Sequence, residues 1–302
     1  MTSSPGAGLD LAGKHVVVLG VADASSLAWA IAVAFAAHGA RVRIGYQQKF
    51  LSRVRLLLME QPSIEGMRCD VTSEDELAAF FGRFADDPLD VLVHGVAYGP
   101  PEFFNRPPSH VSAAGYAQGL GISSHSLSTV VRFAAPYLRE WASVMTLTFQ
   151  ASQRAMPMYG TMGIAKAALE ATVRYLALEL GPRKVRVNAV SPGPVQTVAA
   201  LGEILAFLRE PDAAHHQRGQ LTRLAVEAAR EELGPGEHED ITIATAAWRH
   251  VQDDFAWRSA LPDVVTQEDV AGTALFLGSD LARKITGQVI HVDCGLSTAL
   301  VL

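Results

Sequence analysis

The stretch "KHVVVLGVADASSLAWAIAVAFAAHGARVRIGYQ", residues 14–47, decides the fold. Residues 14–20 are a short apolar, β-branched run that ends in Gly, the mark of a buried strand. Residues 25–40 are apolar and Ala-rich and stop at Gly39, which reads as a helix closed by a glycine. Residues 41–47 read as a second strand. A strand, a tight small-residue turn, a helix and a second strand make one βαβ unit. The same rhythm continues: strands over 89–99, 142–149, 185–195 and 287–293, and helices over 73–87, 124–141, 159–181 and 266–280. A short third strand is expected just before "CDV" (69–71). Alternation of this kind demands an α/β fold, a doubly wound parallel sheet of Rossmann type between two helical layers. Only 201–258 breaks the rhythm. It is long, charged and largely helical, with one helix expected over 215–234. It reads as an insert within a single domain spanning 1–302, after a flexible tail at 1–11.

Composition narrows the function. The chain has 302 residues, 49% of them hydrophobic, enough for one large domain with a substantial core. Its net charge of −6, without a basic run, argues against nucleic acid as the main partner. Two distant cysteines, Cys69 and Cys294, form neither a disulfide framework nor a metal-binding pair, which suits a reducing cytoplasm. No apolar run is long enough to span a bilayer, and the first residues lack the apolar segment of a signal peptide.

In a doubly wound sheet, ligands bind beyond the C-terminal strand ends. "GVADASSLAWA" (20–30) lacks the usual G-x-G-x-x-G, yet Gly20 ends the strand and Ser26 stands where the helix begins. Small residues let the chain's backbone approach a pyrophosphate, and a helix N-terminus favours its charge; a turn packed for its own sake would read the same way. The second strand ends at Gln47, where an acid would bind the 2′-hydroxyl of NAD and an Arg a 2′-phosphate. A neutral amide favours NADH, and Lys49 leaves NADPH open. Asp70 is either an acceptor for the adenine amino group or a helix cap. Gly95, Ala97 and Gly99 in "HGVAYGP" (94–100) let a cofactor lie across the sheet edge. Tyr98 either faces a substrate or packs.

"MPMYGTMGIAK" (156–166) sets Tyr159 and Lys166 seven apart. On an ideal helix that spacing puts both on one face, roughly 10 Å apart along the axis, so their tips can converge on one ligand. Pro157 suits a helix entry. Gly160 and Gly163 cost around 1 kcal/mol each inside a helix, so something must require them.

Together, "GVADASSLAWA", "YQQKFLSRV", "CDV", "VHGVAYGP", "MPMYGTMGIAKAALEA" and "VRVNAVSPGPVQTVAA" resemble, in order, the NADH-dependent enoyl-acyl-carrier-protein reductases, a divergent branch of the short-chain dehydrogenase/reductases. The likeness covers about residues 12–202 and 257–298. It turns on Tyr-x6-Lys in place of the Tyr-x3-Lys of ordinary ketoreductases, followed by "SPGPVQT". It implies that Gly20, Ser26, Leu27, Gln47, Asp70, Val71, Val96 and Val195 line the NAD site and that Thr197 approaches the pyrophosphate. It further implies that Lys166 holds the nicotinamide ribose, and that Tyr159 donates a hydrogen bond to the thioester carbonyl. Tyr98, Gly99, Phe149 and Met162 would face the substrate, an acyl thioester carried on acyl carrier protein or coenzyme A. A homotetramer is implied as well.

Two departures stand out. Phe149 occupies the place where many members carry a second Tyr, which removes any proton relay through that residue. The insert is longer than the family's substrate lid by about 40 residues by this resemblance, which suggests a long, bulky or unusual acyl chain; a surface decoration is the plainer alternative. Arg209, Arg218, Arg223 and Arg230 in the insert alternate with Glu and read as a solvated face rather than a carrier-protein contact. Cys294 replaces a family glycine and is expected to be a buried, non-catalytic thiol. Two rival functions remain: a reductase of the same superfamily acting on C=O, and a non-catalytic NAD-binding protein.

Overall fold

The computed structural model describes residue 9 and residues 11–156, 159–209 and 220–299. The expected N-terminal tail, the helix-entry Pro157 and the start of the helix expected at 215 therefore lie largely or wholly outside the described residues.

Seven strands form one sheet: β1 (His15–Leu19), β2 (Arg41–Tyr46), β3 (Ile64–Arg68), β4 (Leu89–His94), β5 (Leu138–Leu147), β6 (Arg186–Pro192) and β7 (Val289–Val292). Their order is β3-β2-β1-β4-β5-β6-β7, and every pair is parallel. The alternation of side chains along β1 divides the core in two. Val16 and Val18 face α1 (Leu27–Ala37), α2 (Leu51–Glu60) and α11 (Gln267–Gly278), while Val17 and Leu19 face α3 (Glu74–Phe81), α6 (Ser126–Ala134) and α7 (Thr161–Leu180). Between α3 and α6 come α4 (Glu102–Asn105) and α5 (Ala113–Leu120). Burial of both faces explains why β1 and β4 read as continuous apolar runs.

The caps follow the sequence. α1 closes with Gly39 at φ +80°, and Ala40 and Gly39 donate back to the Phe35 and Ala36 carbonyls, the paired bonds of a Schellman ending. α3 starts on Ser73, which accepts from the Glu76 amide. α11 starts with a capping box between Thr266 and Asp269.

Three expected elements change their bounds. The helix expected over 124–141 ends at Ala134, and Pro136 sits in a short 3₁₀ turn, Ala135–Tyr137. The next residues are already strand: β5 begins at Leu138 rather than 142. Its first part hides the period of two because the register jumps there. Leu138 pairs with Leu89 but Ser143 pairs with Val91, and Trp141 takes φ 69°. This bulge erases the alternation that would have betrayed a strand. The strand expected to reach residue 99 stops at His94, because residues 95–100 leave the sheet.

The insert begins at α8 (Val198–Arg209) and continues with α9 (Gln220–Leu233) and α10 (Asp240–Arg258). These helices bury a cluster of their own that includes Ile204, Phe207, Val226, Ala229, Trp248 and Val251. Arg223 lies over the Phe207 ring and Arg230 is exposed; Arg218 lies outside the described residues. Gln252 on α10 donates to the Pro194 carbonyl at 3.2 Å, fastening the insert to the turn after β6.

Candidate active site

The strand order reverses between β1 and β4, so the crevice of a doubly wound sheet opens at their C-terminal ends. Missing side chains make that crevice. Gly20 has φ +95°, and a Cβ there would stand 2.2 Å from the Gly95 carbonyl oxygen. A Cβ on Gly95 would stand 2.9 Å from both Ala28 Cβ and the Leu19 carbonyl. The small residues of the first turn are thus demanded by close approach of β1, β4 and α1. Above them lies one cavity of about 1910 Å³.

Of the residues singled out in the sequence, Gly20, Ser26, Leu27, Gln47, Val71, Val96, Tyr98, Gly99, Phe149, Tyr159, Met162, Lys166, Val195 and Thr197 all line that cavity. Asp70 does not. Its carboxylate accepts from the Thr72 amide and hydroxyl at 2.9 and 2.7 Å and from Gln47 Nε2 at 3.0 Å. Burial pushes the Asp70 carboxyl up, but the bonds from Thr72 and Gln47 and the charge of Lys49 outweigh it and hold it below its usual range. Asp70 therefore fixes the orientation of Gln47, and Gln47 reaches the cavity wall.

Ser26 holds the N-cap position of α1 with its hydroxyl on the Asp23 carbonyl at 2.6 Å, and Leu27 opens the helix. The first-turn amides of such a helix lack intrahelical acceptors and favour an anion. Thr197 stands just before α8, where its hydroxyl accepts from the Ala200 amide at 3.1 Å. The bare glycine floor, this helix end and the neutral Gln47 fit a dinucleotide.

Tyr159 and Lys166 line the same cavity, but not from one helix face. α7 starts at Thr161, and Tyr159 sits in the turn before it. Gly160 takes φ 51° and ψ −132° at the N-cap, so the chain swings Tyr159 out of helical register. The two glycines are required by backbone, not by side chains. A Cβ at Gly160 would meet the Phe103 carbonyl oxygen at 2.3 Å, and one at Gly163 would meet that of Ala151 at 2.7 Å. The Tyr159 ring packs on Phe149, centroids 4.9 Å apart.

Lys166 is 5% exposed and donates from Nζ to the Leu147 carbonyl at 2.8 Å. Burial lowers its pKa from 10.5 to about 8, with Glu170 one turn along opposing the shift. Glu170 itself accepts from the hydroxyls of Thr148, at 2.8 Å, and Ser152. Lys166 is thus still a cation at neutral pH, stored at the cavity wall at the end of β5.

Three groups escaped the sequence reading. His94, fully buried at the end of β4, touches Thr146 Oγ1 at 3.1 Å and Ser126 Oγ at 2.8 Å. Burial and the Lys166 charge drive its pKa down to about 3, so it is neutral. Ser123, on a π-helical turn over Gly121–His125, accepts from the Tyr98 amide at 2.8 Å and donates to the Tyr98 carbonyl at 2.7 Å. That turn therefore clamps the loop after β4. Third, Glu170 supports Lys166; its spacing of four residues was a visible signal, whereas the π turn had none. Cys294 is half-buried in a left-handed conformation (φ 54°), and burial and then the nearby Asp263, Asp269 and Asp293 raise its thiol pKa. Among the described residues no helix is long and apolar enough to cross a membrane, and no group of side chains could hold a metal ion.

The chain matches a family model described as enoyl-(acyl carrier protein) reductase over residues 20–229 and 240–297. It is 36% identical to the NADH-dependent enoyl-[acyl-carrier-protein] reductase FabI of Nostoc sp. across 95% of this chain and 97% of that protein. It is 33% identical to FabI of Enterococcus faecalis across 95% and 98%. Among solved structures, the NADH-type enoyl reductase of Aquifex aeolicus superposes with a TM-score of 0.76 at 32% identity, covering 97% of this chain and all of that one. The reductase of Anaplasma phagocytophilum in complex with NAD superposes with a TM-score of 0.78 at 30% identity, covering 98% of both chains.

Proposed function

The chain belongs to the enoyl-(acyl carrier protein) reductase family, and on that premise we propose that it reduces the C=C bond of a trans-2-enoyl thioester, using NADH, in acyl-chain biosynthesis. The observation that carries the reading is the placement of Tyr159 and Lys166 on the wall of the same cavity as the glycine floor of β1 and β4. When bound, NADH supplies the hydride. Gly20, Ser26, Leu27, Val71, Val96, Val195 and Thr197 hold the dinucleotide, Gln47 faces its adenosine end, and Lys166 its nicotinamide ribose.

The chain's own chemistry follows from where charge develops. Addition at the β-carbon of a conjugated thioester sends negative charge to the carbonyl oxygen. Tyr159 aims a phenol donor at that oxygen, and a donor aligned before charge appears is the main source of stabilisation in such sites. Lys166, on the wall of the same cavity, adds positive charge to the site in which that negative charge develops. Phe149 packs against Tyr159 and has no exchangeable proton, so no proton relay runs through it. Tyr98, Gly99 and Met162 shape the wall beside the enoyl group. A Cβ on Gly99 would meet the Phe104 ring at 2.7 Å and Met162 Cε at 2.9 Å, so Gly99 keeps this wall open.

The substrate is an acyl chain on acyl carrier protein, the Rossmann body and the 201–258 helices form one catalytic unit, and the assembly is a homotetramer. A C=O reductase is the competing reading. Parallel assays of NADH oxidation on enoyl and 3-oxoacyl thioesters distinguish the two: turnover confined to the 3-oxoacyl series would replace this proposal.

A further inference from the structure

We infer that Asp70 is a positioning residue that sets the preference of this site for NADH over NADPH, and that it acts through Gln47. The acid expected at the end of the second strand is replaced by an amide, and a carboxylate at the end of the neighbouring strand holds and polarises that amide. The inference rests on the NADH-binding part of the reading above.

In a dinucleotide site of this fold, an acid after the second strand accepts from the 2′-hydroxyl of the adenosine ribose, and an Arg there welcomes a 2′-phosphate. Gln47 is the first residue after β2 and carries no charge. An amide alone serves either ligand, since its oxygen accepts from a hydroxyl and its NH2 donates to a phosphate. Which end it presents decides the preference.

Asp70 makes that choice. β2 and β3 run parallel with Tyr46 opposite Arg68, which brings Gln47 beside Asp70. Gln47 Nε2 donates to Asp70 Oδ2 at 3.0 Å. A carboxylate accepts and cannot donate, so the NH2 end is the one that must face it. Burial pushes the Asp70 carboxyl up, but the bonds from Thr72 and Gln47 outweigh this, and the group is ionised at neutral pH. Asp70 is itself held: its amide donates to the Glu76 carboxylate at 2.9 Å, and the Thr72 amide and hydroxyl donate to its Oδ1. Gln47 lines the cavity and Asp70 does not. The NH2 is therefore drawn away from the wall, and the amide oxygen is the end left for a ligand. The charge behind the amide makes that oxygen a stronger acceptor.

Two cations share this stretch of wall, Lys49 and Arg53. Both have partners of their own. Arg53 faces Asp23 at 3.7 Å, and the Lys49 ammonium lies over the Phe50 and Tyr98 rings, 4.9 and 6.0 Å from their centroids.

Calorimetry of the full-length protein with NADH and with NADPH, without any acyl substrate, reads the ratio of the two dissociation constants. Wild type should bind NADH tighter by roughly 10-fold or more, the worth of a charge-assisted bond. Asp70→Asn keeps an oxygen for Thr72 and sets an NH2 against Gln47, which turns the amide over. The preference for NADH should then fall by roughly 10-fold. In Gln47→Leu there is no amide to turn, and adding Asp70→Asn should move the ratio by less than about 3-fold, as a double-mutant cycle isolates the coupling. General losses of affinity or folding cancel in the ratio. A wild-type ratio near one, an unchanged ratio in Asp70→Asn, or an equal shift with and without the Gln47 amide overturns the inference, while NADH binding and the enoyl-reductase reading stand. Binding of neither dinucleotide overturns both.

Discussion

Replacing Lys166 by Met should make the free protein more stable at neutral pH while impairing cofactor binding. The Lys166 ammonium is 5% exposed, and its pKa falls from 10.5 to about 8 on folding, chiefly through burial. At about 1.4 kcal/mol per tenfold, protonated Lys166 opposes folding by roughly 3 kcal/mol. The folded chain holds this proton less tightly than the unfolded one. Its opposition is therefore complete below pH 8, fades between pH 8 and 10.5, and is gone above. Met keeps most of the aliphatic stem but loses the bond from Nζ to the Leu147 carbonyl, and a carbonyl left without its donor costs about 1–3 kcal/mol. The two effects leave Lys166→Met more stable by about 1 kcal/mol at pH 7, and less stable than wild type near pH 10.5. Urea denaturation without cofactor at both pH values measures this directly. A variant that is destabilised equally at pH 7 and 10.5 would refute the picture of a cation stored at a desolvation cost. In the same variant NADH should bind roughly 10-fold or more weaker by calorimetry, as loss of charge-assisted hydrogen bonds demands; unchanged affinity would remove Lys166 from the ribose site.

Other substitutions probe the frame around the pair. Tyr159→Phe should lower turnover by roughly 10²-fold or more with NADH binding preserved, the loss expected of an oxyanion donor; steady-state kinetics beside calorimetry separates the two. Gly160→Ala places a Cβ against the Phe103 carbonyl at a positive φ, so it should lower both melting temperature and kcat, with a cost of about 1–3 kcal/mol. An unperturbed Gly160→Ala enzyme would mean that the turn before α7 is not rigidly set. Ser123→Ala frees the Tyr98 amide and carbonyl and should reduce kcat/KM by roughly 30-fold, at about 1 kcal/mol per bond. Ser123→Thr, which restores the hydroxyl, should recover much of it.

The fold was legible because its strands are buried on both faces and its turns are marked by glycine. Residues 14–47 alone show a βαβ unit, and the Tyr159–Lys166 pair, the Gly20 turn and Gln47 all arrive at one cavity. What escaped has physical causes. The start of β5 lost its alternation to a bulge at Trp141, and Pro136 sits where a short 3₁₀ turn needs no donor from it. Tyr159 and Lys166 do not share one helix face as their spacing suggests, since Gly160 at positive φ takes Tyr159 off α7. Asp70 accepts a hydrogen bond from Gln47, a contact across 23 residues that spacing cannot reveal. The Ser123 clamp depends on a π turn, which has no sequence period of its own. The insert announced itself only as a break in rhythm, and which face of α10 meets the cavity needed the packing of α8 and α9 against it.

The most direct test of the central claim is NADH oxidation by wild type and Tyr159→Phe on a trans-2-enoyl thioester of acyl carrier protein and on the matched 3-oxoacyl thioester. The account predicts turnover of the enoyl substrate alone, and its near loss in the variant. Turnover of the 3-oxoacyl substrate instead, or enoyl reduction indifferent to Tyr159, would contradict it.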